Sequence, residues 1–218
     1  MGFDQNVFIN CPYDKDYFPL LRPILFVIYF AGLTPRLALE RMDSGEARIN
    51  KIAELVRESR YAIHDLSRLQ AENAGDYFRL NMPFELGLDV GCRLFGGDDY
   101  QGKCCLMLEA QPYGYQRALS DMSNSDIAAH HNDPMKALVK IRHWLVTQVG
   151  VDLPGPSALI DVYTDFHAWT FRQLLANGFS EEDAKEVPIP ELMNYMRDWV
   201  AATPNQGIQQ TATSPRLS

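Results

Sequence analysis

The chain predicts a flavodoxin-like α/β fold, a parallel sheet with helices on both faces, followed by a C-terminal helical extension. Three observations carry that prediction. Strand-like and helix-like segments alternate through about residue 108, and two of the strand-like runs end in polar residues (Val7-Phe8-Ile9-Asn10 and Tyr61-Ala62-Ile63-His64-Asp65). The octapeptide Asn81-Met82-Pro83-Phe84-Glu85-Leu86-Gly87-Leu88 then opens a helix with a carboxylate in its first turn. Alternation of this kind favours right-handed crossovers and a parallel sheet. In such a sheet the polar strand ends and that helix start meet on one rim, where open α/β folds bind ligands.

Taken in order, residues 6–10 are a β-rich run, residues 15–32 an apolar helix and residues 35–39 a short second strand. A turn at Asp43-Ser44-Gly45-Glu46 leads into a helix whose apolar positions Ile49, Ile52, Ala53, Leu55 and Val56 recur at three- and four-residue spacing. Residues 61–66 form the third strand, about 82–95 the helix that carries Glu85, and 104–108 the fourth strand. A turn-rich stretch follows over 111–132, with room for a short fifth strand near Asp126-Ile127, and a helix over about 134–149 returns to the sheet. After Pro154-Gly155-Pro156 come helices at roughly 157–177 and 189–202, joined by an acidic turn. Their aromatics Tyr163, Phe166, Trp169, Phe171, Tyr195 and Trp199 recur at helical spacing and read as a packing stripe. The expected organisation is an α/β domain over 1–150, a helical extension over 151–202 and a polar, disordered tail over 203–218.

Composition narrows the function. A net charge of −8 with no concentrated basic face argues against nucleic acid as partner. Four cysteines, Cys11, Cys92, Cys104 and Cys105, have neither metal-ligand spacing nor the density of a disulfide scaffold, so a reducing cytoplasm is expected. The apolar run from Pro23 to Leu33 is shorter than the roughly 20 residues that span a bilayer, so it reads as a buried helix and no membrane association is expected. The start Met1-Gly2-Phe3-Asp4-Gln5 carries no signal-peptide pattern.

The ordered set Asn6-Val7-Phe8-Ile9-Asn10-Cys11, Ala31-Gly32-Leu33, Ser44-Gly45-Glu46, Ile52 to Arg60 and Leu66-Ser67 resembles the Toll/interleukin-1 receptor (TIR) domain over about residues 6–108. Ile63-His64-Asp65-Leu66-Ser67 followed by Phe84-Glu85-Leu86-Gly87 is also similar to the nucleoside 2-deoxyribosyltransferases, which share a Rossmann-like plan and cleave N-glycosidic bonds with one glutamate. Both resemblances imply that this glutamate is Glu85. There are departures: the TIR loop after the second strand is abbreviated to about Glu40–Gly45, Met82-Pro83 stands where TIR domains commonly carry a tryptophan-cysteine pair, and the Asp-Gly-Thr lead of the transferases is absent. The resemblance implies hydrolysis or transfer of an N-glycosidic bond in a nucleotide-type substrate, with NAD favoured as substrate rather than cofactor. It also leaves open a non-catalytic module for nucleotide sensing or assembly, and a homo-oligomer that completes its pocket from a neighbour.

The residues suggest their own roles. A carboxylate at Glu85 suits an oxocarbenium-like centre at ribose C1′, with Asn81 as a candidate substrate contact beside it, or it complements the helix dipole and caps the first turn behind Asn81. Asp65 at a strand end suits the two hydroxyls of a ribose, or caps the following turn. Asn10 and Cys11 sit where an amide and backbone N–H groups meet a phosphate or base, with a simple turn as the alternative, and Ser67 with Arg68 would reach a phosphate. Arg48 and Arg60 read as structural, and His64 as a packed core histidine. The pair His130-His131 reads as part of a rim loop near Asp126, and its metal-site reading lacks further ligands at useful spacing. No Walker loop, zinc motif or Ser-His-Asp arrangement is legible, and Ser44-Gly45-Glu46 is only weakly like a phosphate turn.

Overall fold

The computed structural model describes residues 2–41, 43–68, 80–117, 119–122 and 126–203, so all but the first residue of the expected tail lies outside them. Five strands, β1 (Asn6–Asn10), β2 (Thr34–Arg36), β3 (Tyr61–Asp65), β4 (Cys104–Glu109) and β5 (Ile127–Ala129), form one sheet in the order β2-β1-β3-β4-β5. Every pairing is parallel, and β1 lies beside β3 with Asn10 level with His64. The fold is therefore the α/β flavodoxin-like one that the alternation predicts, and the strand order reverses between β1 and β3, the place where such sheets open a crevice.

Two pairs of helices cover the sheet. α1 (Phe18–Phe30) packs against α4 (Pro134–Trp144) on one face, and α2 (Arg48–Arg57) against α3 (Asn81–Phe95) on the other. The strands divide their side chains accordingly, with Val7, Ile9 and Ile63 in the α1/α4 core and Phe8 and Ala62 in the α2 core. The C-terminal helices α5 (Pro156–Ala176), α6 (Glu181–Lys185) and α7 (Ile189–Ala202) add a third layer outside α1. The aromatic stripe is indeed packing: the Phe26 ring centroid lies 5.0 Å from that of Phe166, 5.2 Å from Tyr163 and 5.7 Å from Trp199.

Several boundaries differ from the sequence reading for identifiable reasons. The second strand ends at Arg36 rather than at residue 39, because Ala38–Glu40 form a 3₁₀ turn held by the Leu37 N–H donating to Glu40 Oε1 at 2.6 Å. In α2, Ile49 is 46% exposed and Lys51 is buried in its place. The lysine stem lies along the core while Nζ donates to the Arg41 carbonyl at 2.5 Å. The helix after β5 widens into a π turn over Leu145–Val149 and ends at Gly150, whose φ of 82° suits glycine. The acidic turn before Pro188 contains α6, started by a capping box in which the Ser180 hydroxyl accepts from the Asp183 N–H and the Asp183 carboxylate accepts from Ser180. Among the described residues no helix is long and apolar enough to cross a membrane.

Candidate functional site

The C-terminal rim of the sheet carries polar residues at four strand ends: Asn10, Asp65, Glu109 and, just after β5, His130. All four are buried. Asn10 belongs to a group centred on α3, and His130 to one centred on Asp65, while Glu109 Oε2 accepts from the Gly114 N–H at 3.0 Å.

The first group orients Glu85. Asn10 Nδ2 donates to the Met82 carbonyl at 2.9 Å and to His64 Nδ1 at 3.0 Å, which fixes the opening turn of α3 on the end of β1. Because His64 Nδ1 accepts, its proton resides on Nε2, which donates to Asp89 Oδ2 at 3.2 Å. Lys103 Nζ lies 2.9 Å from Asp89 Oδ1 as an ionic contact, while its protons go to the carbonyls of Val56 at 2.8 Å and of Ser59. This chain of contacts runs beneath α3 and locks its rotation. Burial pushes the Asp89 carboxyl up, but the His64 hydrogen bond and the Lys103 charge outweigh it, and the carboxyl ends below its ordinary range.

Held in this way, Glu85 lies one turn beyond Met82, just past the first turn of α3 rather than within it. It does not cap the helix, and neither does Asn81, which is exposed and makes none of these contacts. Glu85 is 4% exposed, and its charged partner among the described residues is Arg48, 3.6 Å from Oε1 and set over the Tyr13 ring at 5.8 Å from its centroid. Arg48 thus belongs to the site rather than to a purely structural face. Burial raises the Glu85 carboxyl above its ordinary range against the lowering effect of Arg48. A carboxylate with little solvation and one distant cation is the kind of group that sites use for acid-base or electrostatic work. Cys11 is buried beside it, and desolvation followed by the charges of Asp65 and Glu85 holds its thiol protonated. It is not a nucleophile.

In the second group, Asp65 is 1% exposed and saturated with protein donors. Its Oδ2 accepts from the Tyr17 hydroxyl at 2.5 Å and from His130 Nε2 at 3.1 Å, and its Oδ1 accepts from the Ser67 N–H at 2.8 Å and the Ser67 hydroxyl. No acceptor position is left for a ribose in this conformation, so Asp65 shapes the rim from below. Asp65→Asn is therefore expected to act first on folding. It would leave buried donors facing an amide N–H, at about 1–3 kcal/mol, which thermal denaturation would register.

Ser67, His130 and Asp65 do meet, contrary to the expectation that no Ser-His-Asp set exists, because β3 and β5 end on the same rim. Ser67 Oγ is 2.9 Å from His130 Nε2. The set is nonetheless wired differently from a hydrolytic triad. His130 Nδ1 accepts from the Asn132 N–H at 3.0 Å, so the neutral ring carries its proton on Nε2, the same nitrogen that faces both Ser67 and Asp65. No lone pair remains there to take the serine proton. Beside this cluster lies a cleft of about 360 Å³ lined by Asp16, Tyr17, Ser67, Arg68 and Asn132, which places Ser67 and Arg68 at an opening as the sequence suggests. The turn at Ser44-Gly45-Glu46 is closed on itself, with Asp43 Oδ1 accepting from Gly45 N–H and Glu46 paired to Arg41 and Lys51. Arg60 pairs with Asp4 at 2.7 Å, away from the rim.

His64, Asp89 and Cys105 also lie within 4.8 Å of one another, a spacing open to a metal. The donor set does not fit one: Lys103 already supplies the cation to Asp89, and burial pushes the Cys105 thiol up to about 12, so it keeps its proton. The sequence reading missed Glu109, Tyr17 and Tyr13, and it put His130 in a rim loop without its partner Asp65. Glu109 carried a usable signal, since it ends an apolar strand as Asp65 does. Comparison of the chain with protein-family models, with curated proteins and with solved structures gives no match.

Proposed function

We propose that the rim around Glu85 cleaves an N-glycosidic bond in a nucleotide-type substrate, with NAD favoured. The observation that carries this reading is Glu85 itself: a carboxylate removed from water, raised in proton affinity, and held in place from below by Asn10 at the crevice between β1 and β3. When the bond from ribose C1′ to the base breaks, its electron pair leaves with the base and positive charge develops on the sugar. A poorly solvated carboxylate stabilises that charge or captures it covalently before water attacks C1′. Nicotinamide is already cationic in NAD, so its departure needs no separate acid. Arg48 limits the desolvation cost of the ionised carboxylate and offers a charge to a substrate phosphate. Asn10 Oδ1, buried and without a partner among the described residues, offers an acceptor to an amide or amino group of a base. Incubation with NAD, nucleosides and nucleoside monophosphates, read by the mass of the released base, tests the reading. Release of no base from any of them would exclude it.

A second reading, a module that works by assembling with its own copies, is favoured by one feature. Leu80, Phe84, Leu94 and Phe95 are exposed, Phe95 to 85%, and fall within about 100° of arc along α3. An apolar stripe on the helix that carries Glu85 would couple assembly to the site. Activity per subunit is then expected to fall on dilution, and Phe95→Glu to abolish the concentration dependence while leaving a folded monomer. Sedimentation of the parent as a monomer with undiminished activity per subunit would exclude assembly.

A further inference from the structure

A cavity of about 150 Å³ lies among α1, α5, α6 and α7, in the helical extension and outside the rim. One face of α5 supplies Tyr163, Phe166, Thr170 and Leu174 at three- and four-residue spacing, and Leu192 of α7 and Arg22 of α1 close the remaining sides. The wall is mostly apolar, with Arg22, His167, Thr170 and Lys185 as its polar members, and two polar atoms on it, Arg22 Nε and Thr170 Oγ1, are buried without a partner among the described residues. Thr170 is 4% exposed, yet its hydroxyl has no partner among the described residues. A helical threonine commonly bonds the carbonyl four residues back, as Thr164 does to Ile160 at 2.9 Å. Arg22 donates from Nη2 to the Lys185 carbonyl at 2.8 Å, but its Nε is buried with no acceptor, and no carboxylate among the described residues pairs with it.

The charged side chains that line the cavity have one sign. The chain has 28 acidic and 20 basic residues, but none of the acidic ones lines this cavity, whereas Arg22 and Lys185 do, with His167 beside them. An acidic protein that encloses an apolar space with an unmet guanidinium N–H and an unmet hydroxyl is matched by a ligand with an apolar body and an anionic head. Apolar cavities of this volume hold a six-membered ring, and a carboxylate on such a ring brings the charged acceptor that a guanidinium and a hydroxyl lack here.

The geometry points to a binding site for a small organic carboxylate with an aromatic or short aliphatic body, headed by Arg22 and Thr170. This site is independent of the N-glycosidase reading. Benzoate is the probe, with benzamide as its neutral counterpart of the same shape, both titrated into the full chain at fixed ionic strength. Ligand-observed NMR and thermal denaturation report binding. Saturable binding of one benzoate per chain is expected, at least tenfold tighter than benzamide, with a rise in Tm. Thr170→Val should weaken benzoate severalfold without lowering the Tm of the free protein, and Arg22→Met should weaken it at least tenfold. Leu174→Trp, which fills the space, should abolish it, and circular dichroism would confirm that each variant is folded. Equal affinity for benzoate and benzamide, or undiminished binding to folded Leu174→Trp, would overturn the assignment. So would the absence of saturable binding together with a lower Tm for Thr170→Val, the result expected if ordered water alone meets the two polar atoms.

Discussion

Glu85→Gln is expected to lower kcat for base release by roughly 10²–10³, while raising the Tm of the protein near pH 7. The first effect follows because the amide keeps the size of the side chain but not the charge facing C1′. The second follows from linkage. Burial raises the Glu85 carboxyl in the folded protein, so its favourable contribution to stability is complete below the unfolded-chain value of about 4.3 and is lost as pH climbs through the raised folded value. At neutral pH the ionised group therefore costs stability, and glutamine removes that cost. The gain in Tm should shrink as pH falls toward the ordinary carboxyl range. A variant that loses activity and stability together would mark Glu85 as a structural group. One that releases base at the parental rate would move the chemistry elsewhere on the rim.

Lys103→Met should be the most damaging single substitution for the fold, lowering stability by about 3–5 kcal/mol and Tm by roughly 6–20 °C. Methionine fills most of the lysine stem's volume but strands the Asp89 carboxylate and leaves the Val56 and Ser59 carbonyls without their donor. Asp89 lies below its ordinary range in the parent, so it contributes stability above about 3.9 that disappears as pH falls through the depressed value. The deficit of the variant should therefore be largest at neutral pH and narrow under acid, measurable as urea midpoints across that range. Adding Asp89→Asn to Lys103→Met should recover part of the loss, since the uncompensated charge is gone. A loss below about 1 kcal/mol would mean that the ammonium is solvated rather than buried.

The sequence made the sheet legible because β1, β3 and β4 are largely apolar runs with punctuation, whereas β2, Thr34-Pro35-Arg36, is not. Asn10, Asp65 and Glu85 were readable as rim residues for the same reason: a polar side chain at the end of a buried strand, or early in a helix, has one place to go. Their partners were not readable. His130 lies in a turn-rich segment and reaches Asp65 across 65 positions of sequence, so no local pattern pairs them. Arg48 begins a helix whose apolar spacing points to Ile49, and its proximity to Glu85 depends on how α2 packs against α3. Lys51 and Lys103 are buried by their stems and satisfied at their tips, which a hydrophobicity pattern registers as surface. Of the two roles read for Asp65, the observed contacts match the turn cap, with the Ser67 N–H on Oδ1, while Tyr17, Ser67 and His130 occupy the acceptors that a ribose would need.

The placement of α1 has a consequence for which parts of the chain can exist alone. Its side chains from Ile24 through Phe30 are all buried, some against the sheet and others, such as Phe26, beneath Tyr163, Phe166 and Trp199. A fragment cut at residue 150 would keep every strand and every rim residue yet present that second apolar face to water. The smallest separable unit thus includes α7, and an exchange of the last three helices between related proteins would have to carry a matching α1 with it.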